Sequence, residues 1–521
     1  MRSLPPLLSR TLVALAFLGL AFLFYYRIGD APIYLAHDEA MFGVVAHDIG
    51  WHGRDVDGNV LPLFMHMNGV YWNMPAHVYL TALFVRLFGT TEMAIRASSA
   101  TASLAAVFLI YAFCRRVFRH RGFALLGAAL LALSPAFFID SRLSTDHHYP
   151  LLAVGLWLIC LARFFEDPNR VRWLALAGLS LGVGVYTYGA SVLLMPIYVA
   201  LTAILLLKTG VHRPRAYGAF FVAFAIAVVP FAAFLFTHRG YVGDVANMYK
   251  VYDASRFTAL QGARELLSWT SLGARADVYF SYFNPSMLFF SGAGSLIQST
   301  RQAGFFLAPF LILLPASVIF VLKYEVDWFA WLALVAFFAT PLAASIVDEH
   351  GAVQRVIVMA AFGAILVAYF VRRVSAESRA WVRAGVWTLV ALLPISFVRF
   401  DADYLGDYRR RSSFYFEQNI RGAFELAIEE SKHAGGSDVC ISRGINPLVD
   451  WYWKFYLRKH GVEPLESHTT YFDTPGEARN KCAPGIIVVS EIATCDQIAA
   501  TRARGPEKIL EPGGSPSFCV F

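Results

Sequence analysis

MAIRASSATASLAAVFLIYAFCRRVFRHR, residues 93–121, is an apolar run that ends in a basic cluster. The side of a membrane that receives Arg115, Arg116, Arg119 and Arg121 sets the threading of the whole chain. Lys and Arg accumulate in cytoplasmic loops, so the run reads as going inward. That direction requires the preceding apolar segment, Pro75–Gly89, not to span. It is short and carries Arg86, which suits a helix lying along the membrane surface.

Working outward from this run, residues 9–26 read as an uncleaved first span, preceded by Arg2 and Arg10 and so entered from the cytoplasm. Further apolar runs at 122–139, 149–165, 172–188, 190–207, 217–237, 303–322, 328–347, 354–371 and 380–398 bring the total to about eleven spans. Their inner loops hold Arg163, Arg170 and Arg172, then Lys208, Arg213 and Arg215, then Lys323, and finally Arg372, Arg373 and Arg379. The outer side receives residues 27–92, 140–148 and 238–302, then Asp348–His350, then everything after Phe400. Composition agrees, because 57% hydrophobic and only 16% charged residues exclude a soluble protein. The net charge of +7 lies in short loops rather than on one soluble face, so it reports topology and contact with lipid headgroups, not nucleic acid.

Residues 1–399 therefore read as an all-α polytopic membrane domain, and 400–521, of ordinary polarity, as a small extracytoplasmic α/β domain. In the latter, 413–433 has helical apolar spacing, and DVCIS, GIIVVS and FCVF read as short buried strands. Cys440, Cys482, Cys495 and Cys519 all fall there, where an oxidising compartment permits two disulfides in any of three connectivities. Cys114 and Cys160 lie at inner ends of spans.

Charge is costly in hydrocarbon, and few spans carry any, which argues against an ion-coupled transporter with a midplane site. Carboxylates gather instead on the outer side, in three clusters. His37-Asp38-Glu39 places two carboxylates together, and partial burial raises one of such a pair toward the range of a general base. The same residues also suit the start of a surface helix. Asp140–His148 (DSRLSTDHH) adds Arg142, whose fork of N–H groups matches a phosphate, although vicinal histidines in a loop are commonly plain surface. Asp348-Glu349-His350 precedes Gln354 and Arg355. Arg355 opens a span on the side that lacks excess positive charge, where it either meets a ligand or snorkels to lipid phosphate.

In order and spacing these motifs resemble the GT-C glycosyltransferases of the protein O-mannosyltransferase and aminoarabinose transferase type, in family 39. The resemblance rests on His37-Asp38-Glu39-Ala40, Gly58–Leu63 (GNVLPL), Tyr71-Trp72-Asn73-Met74-Pro75, Phe88-Gly89, Glu92–Arg96, Ser141-Arg142 to Asp146, Tyr282–Phe290 (YFNPSMLFF) and Arg355, and covers most of the membrane region. It implies inverting transfer of a sugar from a polyprenyl-phosphate donor to a glycan, lipid or protein acceptor, at the outer face of a bacterial cytoplasmic membrane. Asp38 carries over as the base, with Glu39 positioning the acceptor and Asp146 acting close by. Arg355 and Arg142 are implied phosphate partners, and His37, Tyr71, Trp72 and His350 surround the substrate. Some relatives bind a divalent cation, whose ligands are not matched here. Two departures stand out. Arg355 is followed by Val356 where the family often has tyrosine, and Phe289-Phe290 is followed by Ser291-Gly292-Ala293-Gly294 without an acidic residue. The other classes open to such a chain are a lipid-carrier flippase and a non-catalytic membrane scaffold.

Overall fold

The structure is a computed structural model that describes residues 6–67, 71–324, 327–500, 502 and 505–521. In chain order it begins with α1 (Pro6–Tyr25), α2 (His37–His52), a hairpin of β1 (Met65–Met67) and β2 (Tyr71–Asn73), and α3 (Pro75–Phe88). The helical bundle continues with α4 (Glu92–Phe118), α5 (Arg121–Ala132), α6 (Pro135–Ser141), α7 (Pro150–Glu166), α8 (Arg172–Gly184), α9 (Ser191–Lys208) and α10 (Pro214–Thr237). Short helices α11 (Tyr241–Met248), α12 (Ala259–Leu266) and α13 (Trp269–Ser281) fill the long loop. They are followed by α14 (Phe310–Lys323), α15 (Trp328–Ala344), α16 (Val358–Val374) and α17 (Ala380–Leu405).

The decisive run is one helix. Thr91 caps α4 by accepting the N–H of Ala94 at 3.1 Å, and small residues on its buried face (Ala94, Ser98, Ala102, Ala106) let neighbouring helices approach. Arg96 and Arg115 lie near its opposite ends, about 29 Å apart along the axis. The segment 75–89 forms α3, whose 14 residues reach only about 21 Å, well short of a hydrocarbon core of about 30 Å.

Each expected span has a helix at its position, with one correction. The run 122–139 is not continuous: α5 and α6 meet at a 69° bend where Ser134 precedes Pro135, since a proline ring disfavours helical backbone in the residue before it. Among the described residues, five helices are long and apolar enough to cross a membrane, or six if the bent pair counts as one. α8 has 13 residues and α14 has 14, so apolar length in the sequence overstates helical length in the fold. The closest helix approach is built on glycine: a Cβ on Gly178 of α8 would lie 2.1 Å from the Phe220 carbonyl oxygen of α10.

α17 runs past the expected domain boundary at 399/400. Beyond it stand α18 (Tyr408–Ser412), α19 (Ile420–His433), β3 (Val439–Ser442), α20 (Val449–His460), β4 (Thr469–Phe472), α21 (Pro475–Lys481), β5 (Ile487–Glu491), α22 (Cys495–Ala499), β6 (Glu507–Leu510) and β7 (Pro516–Val520). The five strands form one sheet in the order β4-β3-β5-β7-β6, with β4, β3 and β5 parallel and β7 antiparallel to its neighbours. Of the three connectivities open to the cysteines, the fold forms Cys440–Cys482 and Cys495–Cys519. This domain does not stand apart. Phe424, Trp453, Phe455 and Tyr456 share one apolar core with Ala40, Val44 and Val45 of α2 and Val78 of α3, and a Cβ on Gly43 would lie 2.6 Å from the Phe455 ring.

Closing chain loops of 42 and 24 residues restricts the unfolded ensemble, so replacing Cys440 and Cys482 by serine is expected to cost about 3 kcal/mol or more. Thermal melting of the full chain with and without reductant checks this, and unchanged melting would refute it.

Candidate functional site

Two arginines and a glutamate at one end of the bundle are consumed by the scaffold. Glu39 is fully buried. It takes Nε–H of Arg96 at 2.8 Å and a terminal N–H at 2.9 Å, and accepts the backbone N–H groups of Ser144 (2.9 Å) and Ala36 (3.0 Å). A carboxylate has about four acceptor sites, so Glu39 has none left for an acceptor substrate, which corrects its expected role. Arg96 spends its remaining donors on the carbonyls of Ile28, Pro32 and Tyr34 at 3.3, 2.8 and 2.6 Å. Arg142 is corrected in the same way. Also fully buried, it donates to the carbonyls of Leu23 (3.0 Å), Phe24 (2.9 Å), Tyr26 (2.8 Å) and Ala31 (3.1 Å), with the Phe138 and Tyr404 rings against its guanidinium. It binds the loop after α1 and not a phosphate.

Asp38, Asp146 and Arg355 are placed differently. Asp38 sits in the first turn of α2, where a helix N-terminus favours negative charge, with 43% of its side chain open and His37 Nε2 3.5 Å from Oδ1. Asp146 lies in the turn between α6 and α7. Burial pushes its carboxyl up to about 7; His147 opposes the rise and the Asp38 charge adds to it. Arg355, on the short turn Val353–Val356 leading into α16, gives Nε–H and a terminal N–H to Glu349 Oε2 at 2.8 and 2.7 Å, beneath the Tyr249 ring. The phenols of Tyr188 and Tyr249 lie within electrostatic reach of these groups: both feel the charges of Arg355 and Asp146, and Tyr249 also that of Asp38. Burial pushes the Tyr249 hydroxyl up to about 12. At the end of α6, Asp140 accepts from Nδ1 of His147 (3.0 Å) and of His148 (2.9 Å), which fixes both rings.

Tyr188 and Tyr249 are groups that sequence reasoning missed, while Glu349 and the Asp140–His147 pair stood in quoted clusters with no role assigned. Asp140 and His147 stood inside a quoted motif without a distinguishing mark, and Tyr249 lies in a loop with no pattern. Of the remaining expected residues, Trp72 is partly buried in an aromatic cluster with His66, Phe234, His238 and Tyr241, tying the hairpin to α10 and α11. His350 is exposed and pairs with Asp277 at 2.8 Å, so it holds α13 rather than facing the carboxylates. Tyr71 opens β2, and its side chain lies outside the described residues.

Among the described residues, the group that gathers three metal-ligand atoms within 4.8 Å of one another is His47, Asp48 and His52. It stands about 14 Å along α2 from Asp38, and both oxygens of Asp48 are taken by Arg458 at 2.8 and 2.9 Å. Asp48 of this group thereby docks α20.

Residues 73–235 match the family described as dolichyl-phosphate-mannose-protein mannosyltransferase. No curated protein matches the chain by sequence. By structure the chain is similar to apo ArnT from Cupriavidus metallidurans, with a TM-score of 0.59, 14% identity and 98% of each chain covered. It is likewise similar to the same protein bound to undecaprenyl phosphate, with a TM-score of 0.57, 13% identity and 97% of each chain covered. The archaeal oligosaccharyltransferase AglB from Archaeoglobus fulgidus, in complex with an inhibitory peptide and a dolichol-phosphate, gives a TM-score of 0.50 at 14% identity, over 98% of this chain and 74% of that one. At such identities the structural likeness is one of fold.

Two outcomes test these placements. Arg142→Lys keeps the charge but abandons carbonyls in a dry site, so it is expected to destabilise the chain by about 2–4 kcal/mol, read as a lowered melting temperature. Melting like the parent's would contradict the scaffold role. Asp146 ionises near pH 3.9 when unfolded and about 7 when folded. Between these values the folded state holds the extra proton, so the stability Asp146 contributes is full below pH ~4 and is lost as pH rises through ~7. Asp146→Asn mimics the neutral form and should out-melt the parent by a margin that grows between pH 5 and 8.

Proposed function

We propose that this chain, a protein of the GT-C glycosyltransferase fold, moves a sugar from a polyprenyl-phosphate carrier to an acceptor hydroxyl with inversion at the anomeric carbon. The observation that supports the reading is that Asp38, Asp146 and Arg355, from three distant parts of the chain, all lie within electrostatic reach of the Tyr249 phenol, with Asp38 partly open to solvent. A carboxylate opposite a guanidinium is the pair an in-line displacement needs. The acceptor oxygen gives its proton to Asp38 and bonds to C1 of the sugar. The bond from C1 to the phosphate oxygen breaks, and its electron pair leaves with the lipid phosphate. Arg355 faces that phosphate. Glu349 holds its Nε–H and one terminal N–H, leaving three of the five donors without a partner among the described residues. Asp146, titrating near neutrality, shares a hydrogen bond with the acceptor hydroxyl and turns it toward Asp38.

The carriers named with the similar structures, undecaprenyl phosphate and dolichol-phosphate, support a polyprenyl donor for this chain. The sequence supports eleven crossings of a bacterial inner membrane, with basic loops cytoplasmic and the α/β domain periplasmic. α3, packed on α2 along the membrane surface, forms one wall of the path by which the prenyl chain reaches Asp38.

Purified chain in lipid vesicles, given polyprenyl-phospho-pentoses and polyprenyl-phospho-hexoses, should release polyprenyl phosphate on turnover. Asp38→Asn should lower that rate on the order of 10²–10⁴-fold without a change in melting temperature. An Asp38→Asn chain that turns over normally would remove Asp38 from the mechanism. A parent chain that releases nothing while translocating labelled lipid would favour a flippase.

A further inference from the structure

Charge at the proposed site is out of balance. Asp38, Asp146, Glu349 and Asp140 surround it, and the phosphodiester donor brings another negative charge, which becomes two on the departing monoester. Arg355 is half engaged by Glu349, and Arg142 is spent on carbonyls. A second cation is required within reach of Arg355.

We propose that His147 is that cation, binding the carrier phosphate through Nε2–H while Asp140 holds the ring from behind; this rests on the transferase reading given above. The geometry supplies each element. His147 Nδ1 donates to Asp140 Oδ1 at 3.0 Å, which aims the other nitrogen away from α6, and among the described residues Nε2 has no partner. The side chain is 13% exposed, whereas His148, on the same carboxylate, is fully enclosed, so only the first of the two histidines opens onto the site. Its ring meets Tyr188 edge-on with centroids 5.2 Å apart, and Tyr188 is one of the phenols that lie in the field of Arg355. His147, in the turn between α6 and α7, and Arg355, on the turn before α16, thus both stand close to Tyr188.

The groups facing His147 favour its protonated form. Asp140 on α6, Asp146 in its own turn and Asp38 on α2 are acidic and raise it against the cost of burial. His77 on α3 is buried and held well below its ordinary value, hence neutral, and Tyr188 stays a phenol. Both nitrogens of an imidazolium donate, one to Asp140 and one to the phosphate oxygen. The proton stays on His147 throughout; the C1–O electron pair leaves with the phosphate, and the new charge is met by Arg355 and His147 together.

The test is binding, not turnover. A polyprenyl methyl phosphodiester, singly charged at every pH used, is titrated onto the full chain in lipid nanodiscs from pH 6 to 9. His147→Gln should bind about 10- to 100-fold more weakly at pH 6 and lose most of the parent's fall in affinity with rising pH. His147→Lys should restore affinity and carry it to higher pH. If either variant binds as the parent does with the same pH slope, while Arg355→Ala loses the probe, His147 is not on the phosphate and the transferase reading stands. A parent that fails to bind the probe, or that binds equally well as Arg355→Ala, overturns both. Melting curves of each variant separate loss of contact from loss of fold, and should the Gln variant melt early, the Lys variant's flat pH dependence still decides.

Discussion

The buried Glu39–Arg96 ion pair is the constraint on which the site depends. An ion pair out of water stands only when its remaining lone pairs and protons are satisfied, and removing one partner leaves a bare charge, at a cost of about 3–5 kcal/mol. Here every one is satisfied, and each satisfaction fixes a different piece of chain. Glu39 holds the start of α2 and the backbone of Ser144, while Arg96 on α4 holds the carbonyls of Ile28, Pro32 and Tyr34. Arg142 adds the carbonyls of Leu23, Phe24, Tyr26 and Ala31. Two guanidiniums thereby substitute for the secondary structure that residues 27–36 lack. Asp38 and Asp146 lie within two residues of Glu39 and Ser144, so their mutual placement follows from this one clamp.

A second consequence concerns the α/β domain. α2 carries Asp38 at one end and Asp48 near the other, and Asp48 is gripped by Arg458 of α20. Beside that pair Lys459 bridges Glu92 of α4 and Glu425 of α19 at 2.9 and 2.6 Å, and the Tyr452 hydroxyl donates to the Leu35 carbonyl at 3.2 Å. Phe455 rests on Gly43. The domain is therefore clamped on the back of the helix that presents Asp38. Apolar burial supplies the attraction and the charged pairs fix the register, since in nearly buried ion pairs the desolvation cost offsets much of the attraction and leaves geometry as their main contribution.

Much of this was legible in the sequence. Alternating apolar runs and basic loops marked the helices because the bilayer imposes both length and charge sidedness. The shortness of Pro75–Gly89 pointed to a short helix, which α3 is, and the ordinary polarity and short apolar runs of the tail pointed to an α/β unit, in which the four cysteines form two bridges. The bend at Ser134–Pro135 was signalled by proline yet hidden inside an apolar run, since hydropathy counts side chains and is blind to backbone geometry. Within the site, motif order pointed to Asp38, Asp146 and Arg355. What could not be read was which charged residues are consumed by backbone groups and which stay partly open.

Glu39 and Asp38 are neighbours with the same chemistry, as are Arg142 and Arg355 with theirs, and in each pair one member builds and the other faces the open space. The difference is the number of backbone groups within reach. Arg142 ends a helix among four carbonyls, so all four of its terminal N–H groups are taken locally and burial is complete. Arg355 stands on a turn where a single carboxylate, Glu349, meets it, so burial stays partial and three donors have no partner among the described residues. A charge next to a low-dielectric bundle must find partners wherever the ligand is absent. Residues with full sets of backbone partners are thereby assigned to architecture, and those held by one exchangeable or half-open partner are the ones left for chemistry.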